Sequence, residues 1–373
     1  MRGQAFPVAG KWILTTVETK SRTVHPYVVN RFSPDGKVFF FDTEIGTWTR
    51  QNQGIELTSG QIKLYNGFFP ITEHTPDRLV LKTDSVTFHY RKAYDRRDNN
   101  PVFQNLTGTW LMRGTVSTYV RLDENGKFSM VEIQENGSVG SIGQWWFIPA
   151  ENVFVVMADV DVLGKKDSIL RINKDYMEVE NKGIQYQLEK QPEVLAVEHL
   201  NFANDSVEYE VSEQTELPWT DDGLRAFLPG IKNLRYKRSV YLEDVKTFHR
   251  QYYSVDVDMD KEKHQIKFTT YKERDEERIR VSAVTKGRVS YNNFFPQKNL
   301  DSYRIIDRNR PWQYDGKTYG CTVVEGVNGH AHYQYWMIND MPGVFAKVIY
   351  ESKGIYGNFV YTVTELEFID YQN

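Results

Sequence analysis

Three carboxylates at alternate positions, Asp256, Asp258 and Asp260, have the spacing with which an acidic loop converges on a hard cation such as calcium. A calcium loop of that type needs glycine and then glutamate further along, where this chain has Lys261 and Lys267. The aspartates therefore read as the wet face of a strand whose other face is Val255, Val257 and Met259. His330 and His332 would set two imidazoles on one face of a strand, a spacing that metal sites use, with His249 or His264 as distant third ligands. Asn328-Gly329 just before them predicts a hairpin turn, which leaves His330 at an exposed strand end, and no motif ties a carboxylate to the pair. Asp159 and Asp161 alternate with Val160 and Val162 and read as another wet strand face, not an acid–base pair. Cys321, the single cysteine, sits in the alternating run Thr318–Val324; it reads as a small buried residue, with no nucleophile signature and no intrachain disulfide. There is no Gly-x-Ser-x-Gly elbow, no His-Glu-x-x-His, and no glycine-rich loop leading from a strand into a helix. The expectation is a non-enzymatic protein with no catalytic residue, metal or cofactor.

Recognition chemistry is better supplied. The segment Arg235–Arg310 carries 18 basic against 12 acidic residues with tyrosines between, an interleaving that sheets can use for single-stranded nucleic acid. The excess is modest, and the whole chain, with 46 Lys and Arg against 50 Asp and Glu, has a net charge of −4; no nucleic-acid partner is expected. Aromatic residues reach 14%, which suits antiparallel sheets with aromatic interiors and polar outer faces. Trp146, Tyr333, Tyr335 and Trp336 are the candidate ligand or partner contacts. Trp145 and Trp146, being adjacent in a strand, point to opposite faces, so one indole goes inside and the other outside as a ligand platform or, the favoured reading, under a neighbouring domain.

The elements that must position these residues are set by a repeat. Gly10-Lys11-Trp12 returns as Gly108-Thr109-Trp110, the turn Ser33-Pro34-Asp35-Gly36 after Arg31 as Asp123-Glu124-Asn125-Gly126 after Arg121, and Gly46-Thr47-Trp48 as Gly143-Gln144-Trp145. The closing strands Phe88-His89-Tyr90 and Tyr186-Gln187-Leu188 correspond as well. Each copy is about 80 residues, far above the length of solenoid repeats, so each should own a core. An opening Gly-x-Trp, a glycine-centred hairpin, a second tryptophan strand and a final alternating strand resemble the small lipocalin-like domains of the calycin group, over residues 7–190. The resemblance implies that Trp12 and Trp110 plug their barrels, with a late-strand Arg or Lys across the indole; Arg91 and Lys190 are the candidates.

Beyond the repeats the composition changes. From Gln191 to Asp222 there are nine acidic residues and no Lys or Arg, a break that reads as a linker with one alternating edge strand, Val207–Val211. A short helix over Asp221–Leu228, capped by Thr220 or Asp221 and stopped by Pro229-Gly230, precedes nine predicted strands between Arg235 and Phe368. The part from Tyr335 to Phe368 resembles the closing region of bacterial lipoprotein-carrier-like half-barrels. The expected fold is all-β: two lipocalin-like antiparallel barrels, 1–94 and 106–190, joined by a linker at 95–105. An acidic linker at 191–216 then leads to a larger antiparallel barrel or half-barrel, 217–373, with at most one short helix.

The leading functional expectation is an interaction or assembly component with a protein partner. The second is a carrier of an apolar small molecule, most naturally in the third domain; an enzyme ranks third. An open cavity would favour the carrier, and filled cores the assembly role. No apolar stretch approaches a membrane span, and the first residues lack the apolar core of a leader. The chain as written is expected in the cytoplasm, or in the periplasm or cell envelope if Met1 replaces a removed leader.

Overall fold

The computed structural model describes residues 7–93, 101–134, 137–158, 165–200, 217–260, 265–274, 277–286, 294, 296, 300–353 and 359–372. The chain is all-β and divides into two compact units, Met1–Glu193 and Val194–Asn373. The first unit holds both repeats, each folded as a closed antiparallel barrel of eight strands. In the first barrel the opening strand Gly10–Thr19 pairs with Val28–Phe32 on one side and with the last strand, Val86–Lys92, on the other. The second closes in the same way, Gly108–Arg113 pairing with Ser117–Leu122 and with Ile184–Lys190.

The repeated residues do the same physical work twice. Trp12 stands opposite Lys92 and Trp110 opposite Lys190 in the closing pairs, and each ammonium lies over its indole, 4.5 and 4.2 Å from the ring centre. Each indole N–H donates to a main-chain carbonyl, Val8 and Leu106 respectively, at 2.8 Å. Gly10 and Gly108 have φ of +143° and +109°, and a Cβ on either would run into that same lysine. The cation over Trp12 is thus Lys92 and not Arg91. Period two turns Arg91 the other way, where its Nε donates to Glu151 at 2.8 Å.

The second Gly-x-Trp is equally constrained. A Cβ at Gly46 or Gly143 would strike the carbonyl oxygen of the neighbouring strand, Thr58 or Met157. Trp48 and Trp145 then donate their indole N–H groups to Ser33 and Asp123 in the preceding turn, both at 2.9 Å. Each barrel is filled by its own side chains, among them Phe32, Phe69, Phe88 and Tyr90 in the first and Trp145, Phe147, Met177 and Leu188 in the second. A further cluster joins the two barrels, with Ile13, Val29, Trp146, Ile148, Val153 and Val155 buried together and Phe41 packed on Trp146 at 5.8 Å.

Within the stretch read as a linker, Pro101–Leu106 forms a helical turn and a half. Pro101 suits the first helical position, Leu106 is buried, and Phe103 stacks on Trp145 at 5.1 Å. The polar run 95–100 before it hid this apolar spacing. Of the acidic segment, Val194 and Leu200 are held within the second unit: Tyr241 donates to the Val194 carbonyl, and the Leu200 N–H bonds to Glu351. Val207–Val211 lies outside the described residues, as do Asp159, Asp161 and His264. Among the described residues no helix is long and apolar enough to cross a membrane.

Because Trp110 is fully buried and holds the Lys190 clamp, Trp110→Ala should cost about 3–5 kcal/mol of stability, the usual loss for a large buried aromatic. Chemical denaturation followed by circular dichroism measures it. A loss below about 1 kcal/mol would contradict the structural assignment of this residue.

Candidate functional site

The second unit is built on one nine-stranded antiparallel sheet that does not close into a ring among the described residues. Its centre is a long-range pair, Ile231–Leu242 beside Phe359–Tyr371. One flank continues through Thr247–Asp260, Gln265–Arg274 and Glu277–Lys286; the other through Phe345–Lys353, Ala331–Ile338, Lys317–Asn328 and Ser302–Tyr314. These are the nine strands that the alternation predicts. The short helix Asp221–Phe227 has Thr220 as its N-cap, the Oγ1 accepting from the Gly223 N–H at 3.0 Å. Its Leu224, with Leu228, Trp219, Phe294 and Leu300, covers one end of the inner face of the sheet.

Along each central strand the residues of that inner face change character in steps of two. Leu234, Tyr236 and Arg238 follow one another on the first, Val257, Val255 and Tyr253 on the second, and Leu366, Thr364 and Thr362 on the third. Met337, Tyr335 and Tyr333 make a fourth row, and Val348 and Tyr350 a fifth. Leu234, Val257, Leu366 and Met337 lie in the core beneath the helix. Beyond them no described residue covers the face, and an open cavity of about 330 Å³ remains.

Its wall is made of phenols and threonines: Tyr236, Tyr253, Tyr333 and Tyr350, with Thr270, Thr362 and Thr364; Val255 and Val348 are its aliphatic members and Arg238 its charge. The register explains the grouping, since Tyr236 pairs with Tyr253, Tyr350 with Tyr333 and Thr362, Val348 with Thr364, and Val255 with Thr270. Arg238 is exposed and forms no ion pair among the described residues, and Thr364 stands directly opposite it. The Thr362 hydroxyl is buried, the residue being 3% exposed, and has no hydrogen-bond partner among the described residues.

A polar chain runs outward from the wall. Tyr253 donates to Gln251 Oε1 at 2.8 Å, and the Gln251 side-chain amide is 3.1 Å from His249 Nε2. Burial, with the Lys272 charge nearby, pushes the His249 pKa down to about 4. At neutral pH the ring is therefore uncharged, and its Nε2 is free to accept from Gln251. Burial also pushes up the hydroxyls of Tyr236, Tyr333 and Tyr335, so the phenols stay protonated.

The candidate residues from the sequence divide. Tyr333 lines the cavity, and Tyr335 lies parallel to it at 5.7 Å. Trp336 occupies the alternate position of the strand: its indole N–H donates to Gln334 at 2.7 Å, and its ring lies between Arg310 and Lys347, each 5.4 Å from the ring centre. Trp146, in the first unit, is buried at 9% exposure in the cluster between the barrels. Sequence reasoning missed Tyr236, Arg238, Tyr253, Tyr350 and Thr362. Their signal was the alternation itself: an arginine in the inward register after Leu234 and Tyr236.

The other candidates are occupied elsewhere. The Asp256 carboxylate receives Arg278 at 2.8 Å and Asn233 at 2.7 Å. His330 lies in the turn before Ala331–Ile338, and no group of three His, Cys, Asp or Glu that could hold a metal ion occurs among the described residues. Cys321 is fully buried, and its thiol is pushed up to about 11. A wider hollow of about 590 Å³ in the first barrel lies at the polar turn Gln51–Gln53, against Phe68 and Pro70, and has the makings of a surface dip.

No family model and no curated protein matches the chain. Among solved structures, a protein of unknown function from the DUF3598 family of Nostoc punctiforme is 9% identical, covering 72% of this chain and 98% of its own, with a TM-score of 0.18. The DNA polymerase III beta chain of Streptococcus pneumoniae is 7% identical, covering 96% and 91%, with a TM-score of 0.18. At that level of superposition neither carries an argument about this protein.

The depressed pKa of His249 has a definite sign. The unfolded chain takes up its proton near the ordinary value of 6.5, the folded one only near 4, so this residue's contribution to stability is lost as pH falls through that window. Thermal melts should therefore show a smaller decline from pH 7 to pH 4.5 in His249→Gln than in the wild type. Equal declines would mean that the imidazole titrates normally.

Proposed function

We propose that this chain is a non-enzymatic binding protein that holds a small molecule in the open cavity of its third sheet. The observation that carries this reading is the contrast between filled and unfilled interiors. Both eight-stranded barrels, read here as lipocalin-like from their repeated motifs, are packed with their own aromatic side chains, while the inner face of the third sheet is walled but left open by the described residues. The cavity volume of about 330 Å³ is at the small end of the range for ligand sites. Its described lining offers rings, hydroxyls and a guanidinium, and includes none of the carboxylates, thiols or imidazoles on which general acid–base and nucleophilic catalysis usually draw.

An assembly role remains the second reading, favoured by the first unit. A pair of barrels with filled cores and a shared apolar cluster makes a rigid body suited to presenting surface rather than to holding a ligand.

Titration with N-phenyl-1-naphthylamine, a neutral dye that fluoresces in apolar surroundings, tests the cavity. Saturable binding at one site is expected in the wild type. Val348→Trp, which fills the space, should abolish it while leaving the melting temperature within about 4 °C, the shift that accompanies a change of about 1 kcal/mol. Absence of binding by the wild type, or unchanged binding by the filled variant, would remove the cavity from consideration.

A further inference from the structure

We infer that the cavity of the third sheet selects a small aromatic carboxylate, anchored by Arg238 at the rim. This rests on the cavity reading above and adds the chemical class of the ligand.

The charge is the first ground. Arg238 is exposed at the cavity and unpaired among the described residues, and the described lining contains no carboxylate to compensate it. Lys272 stands directly opposite Tyr253 on the next strand and also has no ion pair among the described residues. On the other side of the sheet Lys237 and Lys347 share Glu365, and Arg235 meets Glu273. A guanidinium at the cavity offers a fork of N–H donors matched to a carboxylate.

The second ground is the wall. Four of its residues are tyrosines, and Tyr333 adds a ring parallel to Tyr335, surfaces on which a planar ring gains more than a flexible chain.

The experiment compares naphthalene-2-carboxylate with its neutral isostere 2-naphthamide by isothermal calorimetry on the full chain. The wild type should prefer the carboxylate about tenfold, the effect of one charge-assisted contact. Arg238→Gln should erase that preference by weakening the carboxylate alone; the residue is exposed, so the fold should tolerate the change. Equal affinity of both ligands for the wild type would overturn the anion assignment while leaving a cavity that binds neutral molecules. Stronger binding of decanoate than of naphthalene-2-carboxylate would overturn the aromatic assignment. Binding of neither naphthalene ligand, with the neutral dye also unbound, would overturn the cavity reading itself.

Discussion

The first unit depends on a three-part contact made twice: a lysine ammonium over an indole, beside a glycine whose positive φ other residues rarely adopt. In each barrel the tryptophan belongs to the first strand and the lysine to the last, so the contact is made only when the ring closes. It therefore couples closure to core formation. The glycine must bend the first strand and also leave room for the lysine, and the positive φ at Gly10 and Gly108 meets the first need as the missing Cβ meets the second. The lysine in turn is shielded from water: Lys190, also donating to the Thr107 carbonyl, has its pKa lowered to about 8.

This contact explains how much of the fold was legible in the sequence. A motif whose members are two residues apart, repeated with the same companions, could be read directly, and so could the nine strands of the second unit from their alternation. The identity of the cation was not legible at the same level. Arg91 and Lys92 are neighbours that point to opposite faces, and only the register of the closing pair, Trp12 against Lys92, decides between them. Trp145 and Trp146 show the favourable case. Period two alone implied that one indole lies inside and the other outside or under a neighbour, and they are buried in separate clusters, one within the second barrel and one between the barrels.

The cavity was the least legible feature because its wall is assembled from six strands in two groups distant in sequence. Tyr236 meets Tyr350 and Tyr333 through Thr362 and Thr364, a neighbourhood fixed by the pairing of Ile231–Leu242 with Phe359–Tyr371 across more than a hundred residues of chain. Tyr333 and Tyr335 could be nominated from their aromatic run. Trp336, from the same run, falls on the alternate face, which a list of aromatic residues cannot distinguish from the first.

Why the barrel cores are filled while a cavity lies on the third sheet follows from closure. A ring of eight strands encloses an interior that its own side chains can fill, and the two barrels do so with large aromatic groups. An open sheet has to cover its inner face with material from outside the sheet. Among the described residues that material is one short helix with Phe294 and Leu300, enough for one end of the face. Tyrosine and threonine suit the remainder, since each joins an apolar body to a hydroxyl, and leucine or phenylalanine in the same rows would have exposed a larger apolar patch. The stepwise change along the strands, from leucine through tyrosine to arginine on the first of them, is thus the sequence counterpart of a face that begins as core and ends as an open cavity.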